Sequence, residues 1–343
     1  ATEADWLTSH SDYYATSNGN KIHPNGYTDV WQLDLTKDAV QTAMIDAMKY
    51  WVTNADIDGF RCDMVQGYGG YLPVAFWTTA ISELKTQKST LRFLAETDFA
   101  NHNGSAYFTN GWNYDYAWNF QEQLAGKQNN HPTSAATLKG YCQTLTDTQG
   151  SDYGNLSRMV YLTSHDVNWN IDTNYGNVRR TIQEMYGSNR CAFTALEFTL
   201  YGMPLIFNGQ ERNVNEAIDY FGTTTGYQKV NWDSPNNAMS LLVKELVELK
   251  HTHPALNDYG TTKGSIRYID AKNGETANDN VLAYMREKGD DKVLVVLNLN
   301  GEAQTVDLIG INPGTWTQTV SGSYNYTTPA SDATEEMPVA SLP

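Results

Sequence analysis

The chain has 343 residues, enough to bury a large core and to divide into at least two domains. Its 23 Lys and Arg against 39 Asp and Glu leave a net charge of −16, a poor footprint for nucleic acid or an anionic membrane surface, so a neutral ligand is the natural partner. No apolar run is long enough for membrane insertion, and the three cysteines, Cys62, Cys142 and Cys191, are odd in number and lack metal-ligand spacing, which argues against a disulfide framework.

In chain order, residues 1 to about 37 are rich in Asn, Asp, Gly, Tyr and Trp with little periodicity, as a loop-built subdomain would be. From Asp38 an apolar stripe of Ala39, Ala43, Ile45, Ala47, Met48 and Trp51 predicts a helix over 39–51 that leads into a strand over 57–62. An amphipathic helix over 74–84 precedes a strand at 91–95. A weaker strand near 112–118 is followed by a helix over 133–146, a strand at 159–162, helices near 178–185 and 192–200, a strand at 203–207 and a closing helix around 239–250. His251 and His253 flank the end of that helix before Pro254, where surface or capping roles are expected rather than metal binding. Beyond Pro254 the texture turns to β. Residues 281–286 and 292–298 are β-rich runs joined at the polar turn Gly289-Asp290-Asp291, a hairpin signal.

Three of the apolar runs deliver a carboxylate at their ends: Ile57-Asp58-Gly59-Phe60-Arg61-Cys62-Asp63, Leu91-Arg92-Phe93-Leu94-Ala95-Glu96, and Met159-Val160-Tyr161-Leu162-Thr163-Ser164-His165-Asp166. Each reads as a buried parallel strand whose last residue meets solvent. Carboxylates at the carboxyl ends of successive strands in a βα series converge on one face of a barrel. Two such groups can divide nucleophilic and acid–base work. One such acid alone would be read as a helix cap or as an ion pair with Arg61, but three in series outweigh that reading.

The runs Gly59-Phe60-Arg61-Cys62-Asp63, Leu94-Ala95-Glu96 and Ser164-His165-Asp166 resemble the second, third and fourth signature regions of the α-amylase superfamily, glycoside hydrolase family thirteen. Gly202-Met203-Pro204-Leu205-Ile206-Phe207-Asn208-Gly209-Gln210-Glu211 looks like that family's eighth barrel strand and the loop after it. Trp31-Gln32-Leu33-Asp34-Leu35 with the helix over 39–51 looks like the approach to its fourth strand, so the resemblance covers nearly the whole chain. It implies an α/β fold, a (β/α)8 TIM barrel of the α-amylase type with only about strands 4–8 present and a C-terminal antiparallel β domain. The domains would be 1–37, a remnant of the loop-rich domain after strand 3, then 38–262, the barrel strands 4–8, and 263–343, an incomplete β domain. The family's first signature region would lie upstream of Ala1, and Ser341-Leu342-Pro343 reads as the lead-in to a strand that does not follow. On that reading the chain begins inside the loop after strand 3 and is expected to be nearly inactive alone, because strand number, tilt and shear are linked in a closed barrel.

The activity implied is retaining hydrolysis of α-1,4-glucosidic bonds in an α-glucan substrate such as starch or maltooligosaccharides. Asp63 matches the nucleophile, and Arg61, two residues earlier on the same strand face, favours its ionised state. Glu96 matches the general acid/base, for which a partly desolvated site is suited. Asp166 matches the third acid, and His165 the histidine that hydrogen-bonds sugar hydroxyls. Aromatics make up 12% of the chain, and their flat faces can stack on sugar rings. Trp169, just after Asp166, and Trp112 are the sugar-stacking candidates, with Tyr114, Tyr116 and Trp118 beside Trp112. The alternation of those last four is equally that of one buried strand face. Cys62, between Arg61 and Asp63, is expected to pack away from the site as a small apolar group.

Many α-amylases carry Lys-His beyond the position of Met64, whereas here Val65-Gln66-Gly67 stands, which removes one sugar contact and weakens the case for the commonest calcium site. The resemblance implies no cofactor for the chemistry, allows a structural calcium, and assigns no metal ligand. A transglycosylase, a maltose- or cyclodextrin-acting relative, and a non-catalytic α-glucan-binding protein are the competing readings. An extracellular or periplasmic location is expected, and oligomeric state is not indicated.

Overall fold

A helix forms after Asp38 because Val40, Ile45 and Val52 fall on one face and are buried there, with Met44 and Met48 packed beside them. The computed structural model describes residues 5–100, 106–125, 131–148, 156–169, 181–214, 230, 232, 237–257, 264–311, 316, 320 and 336–342. The chain divides into two compact units, Ala1–Tyr116 with Ser151–Leu156, and Ala117–Gly150 with Ser157–Pro343.

The first unit opens with the short helix α1 (Asp5–Ser9) and a small hairpin of β1 (Thr16–Ser17) and β2 (Asn20–Lys21). The hairpin turns on Asn18 and Gly19, at φ 50° and 79°, the left-handed pair that a two-residue Asn-Gly turn needs. Helix α2 (Asp38–Ala55), strand β3 (Gly59–Cys62), helix α3 (Val74–Gln87), and strands β4 (Arg92–Ala95) and β5 (Tyr114–Tyr116) follow. β3 runs parallel to β4 with Gly59 opposite Arg92 and Cys62 opposite Ala95, and β4 runs parallel to β5 with Leu94 opposite Tyr114. Phe76, Trp77, Ile81 and Leu84 of α3 pack with Leu91, Phe93 and Trp112 in the core. Cys62 is buried in it, as expected of an apolar packing role.

The stripe expected on α2 is rotated. Ile45 and Met48 of the expected stripe do face the core, but Val40 and Val52 join them in place of Ala39, Ala47 and Trp51, which is 56% exposed. α2 ends at Asp56 in the left-handed region, φ 47°. The Lys88 ammonium gathers the Asp56 carboxylate, the Asp58 carboxylate and the Ile57 carbonyl, so the strand starts at Gly59 rather than at Ile57.

In the second unit, α4 (Trp118–Ala125), α5 (Ala135–Thr148), β6 (Ser157–Tyr161), α6 (His165–Trp169), α7 (Ile182–Tyr186), α8 (Arg190–Thr199), β7 (Met203–Leu205) and α9 (Asn237–Thr252) precede the β domain. β6 is buried throughout and pairs in parallel with β7, with Met159 opposite Met203. α7 begins on a capping box, Thr181 accepting from the Glu184 N–H while the Glu184 carboxylate accepts from the Thr181 N–H. The helix expected near 178–185 thus starts at Ile182, and residues 178–180 lie outside the described set.

The C-terminal sheet is antiparallel in the order β11-β10-β8-β12-β13, comprising β8 (Ser265–Asn273), β10 (Val281–Lys288), β11 (Asp291–Asn298), β12 (Gln304–Ile309) and β13 (Glu336–Leu342), with β9 (Thr276–Ala277) on β8. Lys288 faces Asp291, which leaves Gly289, at φ 61°, and Asp290 as a two-residue turn. Ser341 and Leu342, expected to lead into a strand, are already the end of one, since β13 pairs with β12 and Leu342 lies opposite Gln304. His253 is tied to β11 rather than free on the surface, its Nδ1 2.8 Å from Asp291 Oδ1 while Asp291 Oδ2 accepts the Ala255 N–H. Five parallel strands, three in the first unit and two in the second, with helices between them and an antiparallel domain after them, are an incomplete TIM-barrel complement of the kind the sequence implied.

Gly59 is where β3 and β4 approach most closely: a Cβ there would lie 2.1 Å from the Arg92 carbonyl oxygen. Backbone cannot yield as a side-chain tip can. Gly59→Ala is expected to cost about 1–3 kcal/mol, the range for overpacking, read as a lowered midpoint in urea unfolding; an unchanged midpoint would contradict the close approach.

Candidate active site

Side chains alternate along β3, so Phe60 and Cys62 face the core while Arg61 and Asp63 share the other face. The parallel ladder runs one residue beyond β4, the Glu96 N–H donating to the Cys62 carbonyl at 2.9 Å, which sets Glu96 beside Arg61. Arg61 Nη2 lies 2.7 Å from Glu96 Oε1, and Arg61 Nη1 pairs with Asp63 Oδ1, so one guanidinium holds both carboxylates. Their surroundings differ: the Glu96 side chain is 6% exposed and that of Asp63 72%. Met64 adopts the left-handed region, φ 45°, and its N–H donates to Glu96 Oε2 at 2.8 Å. Such backbone outliers in non-glycine residues concentrate at functional sites. Tyr116 closes the group, its hydroxyl accepting from Arg61 Nε at 3.2 Å with the guanidinium over its ring. Burial works against the Arg61 charge, but the Tyr116 hydroxyl, the Glu96 charge and the Asp63 carboxylate outweigh it and hold Arg61 more firmly protonated than a free arginine.

In the second unit, the chain leaving β6 stays buried through Leu162, Thr163 and Ser164 and surfaces at His165 and Asp166, in the first turn of α6. Ser164 caps that turn, its Oγ accepting the Val167 N–H at 3.3 Å. His165 Nε2 lies 3.5 Å from Asp166 Oδ1, so a protonated imidazole forms an ion pair there. Behind them the Leu162 carbonyl accepts from Gln121 Nε2 and from the Tyr186 hydroxyl, each at 3.2 Å. The carboxyl of Glu197 on α8 lies against the Leu162 N–H and accepts from Gln210 Nε2 at 2.8 Å. A small recess, with room for about one water, lies at the ends of β6 and β7, lined among others by Thr163, Asn168, Thr181, Asn208 and Gln210.

The structure therefore groups Arg61, Asp63 and Glu96, and separately His165 with Asp166. It moves Trp112 out of the candidate set: at 3% exposure it is core, packed on Trp77, Phe93 and Phe99, so its ring offers no face to a sugar. Tyr114 is buried as well, and Tyr116 serves Arg61. Trp169 ends α6, and its side chain lies outside the described residues. Glu197 and Gln210 were not singled out, although Glu197 stands four residues after the buried Phe193 and hence on the apolar face of α8.

Residues 23–292 match the alpha amylase catalytic domain family, and residues 275–334 match the maltogenic amylase C-terminal domain. The chain belongs to the α-amylase superfamily. Members of this superfamily, glycoside hydrolase family thirteen, are glycan-acting hydrolases and transglycosylases. Among curated relatives the chain is 27% identical over 301 residues to the α-amylase MalA of Haloarcula japonica, covering 86% of this chain and 39% of that protein. It is 24% identical over 267 residues to a maltogenic α-amylase of Bacillus acidopullulyticus, covering 76% and 40%. The chain thus spans well under half the length of these relatives. Its fold superposes on the maltogenic α-amylase AmyB of Thermotoga neapolitana with a TM-score of 0.66 at 23% identity, covering 89% of this chain and 63% of that one. On an α-amylase of Lactobacillus plantarum the TM-score is 0.69 at 18% identity, covering 98% and 73%.

For an α-amylase superfamily member the calcium question turns on donors. Among the described residues no three His, Cys, Asp or Glu side chains converge as a metal ion would require. Glu197 is a different kind of buried acid. Burial pushes its carboxyl well above the ordinary 4.5, against the opposing hydrogen bonds from Gln210 and Leu162. A carboxyl raised on folding contributes its stability below its unfolded value and loses it as pH rises toward the folded one. Stability is therefore expected to decline from about pH 4.5 upward through this group, and Glu197→Gln, which keeps the amide-sized shape, should flatten that decline in melting curves recorded across pH. An identical slope in both proteins would show that Glu197 is ionised in the fold.

Proposed function

We propose that this protein is a retaining glycoside hydrolase that cleaves α-1,4-glucosidic bonds in starch or maltooligosaccharides. The observation that carries the proposal is the shared guanidinium, which brings together one exposed and one buried carboxylate on neighbouring parallel strands. Double displacement needs two carboxyl groups roughly 5–5.5 Å apart, one as nucleophile and one as acid then base. Asp63, open to solvent and paired with Arg61, suits the ionised nucleophile that attacks the anomeric carbon. Glu96, enclosed by protein, suits the group that protonates the leaving oxygen and later takes a proton from water. Both oxygens of Glu96 accept from donors in the free protein, Arg61 Nη2 on one and the Met64 N–H on the other. A proton donor must carry a proton, so substrate binding has to loosen the Arg61–Glu96 contact and leave Arg61 with the nucleophile. Asp166 and His165 take the sugar-hydroxyl roles of their motif. Transfer to a sugar in place of water would use the same covalent intermediate, and among the relatives is a cyclomaltodextrin glucanotransferase of Klebsiella oxytoca, 23% identical.

In the complete parent enzyme, Asp63→Asn and Glu96→Gln are each expected to abolish nearly all hydrolysis of α-1,4-glucans with little loss of folding. Turnover assays beside melting curves check this, and substantial turnover in either variant would remove the assignment. Proton NMR of freshly released product should show the α-anomer first, as retention requires. A β-anomeric first product from an α-glucan would place the carboxylates in an inverting mechanism.

A further inference from the structure

We propose that Tyr27 and Tyr68 form a sugar-stacking subsite beside the Asp63 and Glu96 carboxylates, holding a glucosyl ring of the bound α-glucan next to the reacting one. The inference rests on the glucan-cleaving reading above and names two residues that the sequence motifs do not. The turn that carries Tyr68 starts on the candidate acid: Met64 donates to Glu96, and the Gly67 N–H returns to the Met64 carbonyl at 2.7 Å. Gly67, Gly69 and Gly70 at φ 56°, 64° and 77° fold the chain back, and at Gly67 a Cβ would come within 2.6 Å of the Leu72 Cβ. Tyr68 therefore stands one residue beyond the turn that Met64 anchors on Glu96, and burial, with Tyr27 beside it, pushes its hydroxyl above the ordinary tyrosine value.

Tyr27 comes from the other side, on a loop built to hold still. Its N–H donates to the Pro24 carbonyl at 2.9 Å, His23 Nδ1 lies 2.6 Å from the Val30 carbonyl oxygen, and the His23 and Trp31 rings stack at 3.9 Å. The Tyr27 ring is 52% exposed and stands 6.0 Å from that of Tyr68 at an interplanar angle of 40°. Two tilted phenol rings offer apolar faces to the C–H face of a pyranose and hydroxyls to its rim, without a charge. A neutral sugar chain is the occupant whose chemistry fits two uncharged phenol rings, one of them carried on the turn that leaves the acid pair.

The test uses Glu96→Gln protein, which binds without turnover, titrated calorimetrically with maltopentaose. Tyr27→Ala and Tyr68→Ala in that background should each weaken binding about five- to tenfold, the range of a lost aromatic contact, and Tyr27→Phe should hold it within about twofold. Tyr27, with its ring outside any core, is the deciding variant should Tyr68→Ala lower the melting temperature. Unchanged affinity in Tyr27→Ala with maltopentaose still bound overturns the subsite and leaves the glucan reading standing. Failure of the Glu96→Gln protein with both tyrosines intact to bind maltopentaose overturns both.

Discussion

The Arg61 guanidinium is the interaction on which the candidate site depends. A carboxylate enclosed like that of Glu96 costs several kcal/mol to desolvate, and without a partner it would be expelled or neutralised. Arg61 offsets that cost because its fork meets Glu96 and Asp63 from separate nitrogens while its Nε is held by Tyr116. The fork is set by strand register. Cys62 opposite Ala95 puts Arg61 and Glu96 on one face, and a slip of one residue would turn Arg61 into the core and Cys62 out of it. Gly59 permits that pairing at the other end, since a Cβ there would collide with the Arg92 carbonyl. The Asp63 arm of the fork is the weaker one, because a mostly exposed carboxylate gains little from pairing. The two arms therefore differ in burial, with Glu96 enclosed and Asp63 open to solvent.

The strands that bear this chemistry were legible because buried parallel strands are short apolar runs with polar ends, and the two carboxylates on β3 and β4 fell where those runs stop. β5 was faint for a physical reason. It reads Tyr-Asp-Tyr, and Asp115 is fully buried, accepting the Phe99 N–H, so neither hydropathy nor alternation marks it as core. Alternation left Trp112 open between a buried and a sugar-facing role, because period two states which residues share a face and not which face is inside, and packing decided for the core. On α2 the alanines and Trp51 matched a helical stripe through Ile45 as well as Val40 and Val52 did, and only packing chose between them. Glu197 was hidden by its own chemistry: an acid on the apolar face of a helix looks like an error of pattern until Gln210 and Leu162 supply its partners.

Exposure alone does not make an aromatic residue functional. Tyr50 and Trp51 on α2 are as open as Tyr27, at 57% and 56%, and they meet edge-on at 5.5 Å. A soluble surface carries many such apolar atoms, and a helix face with two aromatics needs no ligand to explain it. Tyr27 differs in what stands behind it. Tyr68 pairs with it from a turn that starts at the left-handed Met64, a costly conformation for a non-glycine residue, and the loop that presents Tyr27 is closed by a histidine–tryptophan stack rather than left to fray. The turn after Met64 on one side and the ordered loop on the other set the two rings 6.0 Å apart.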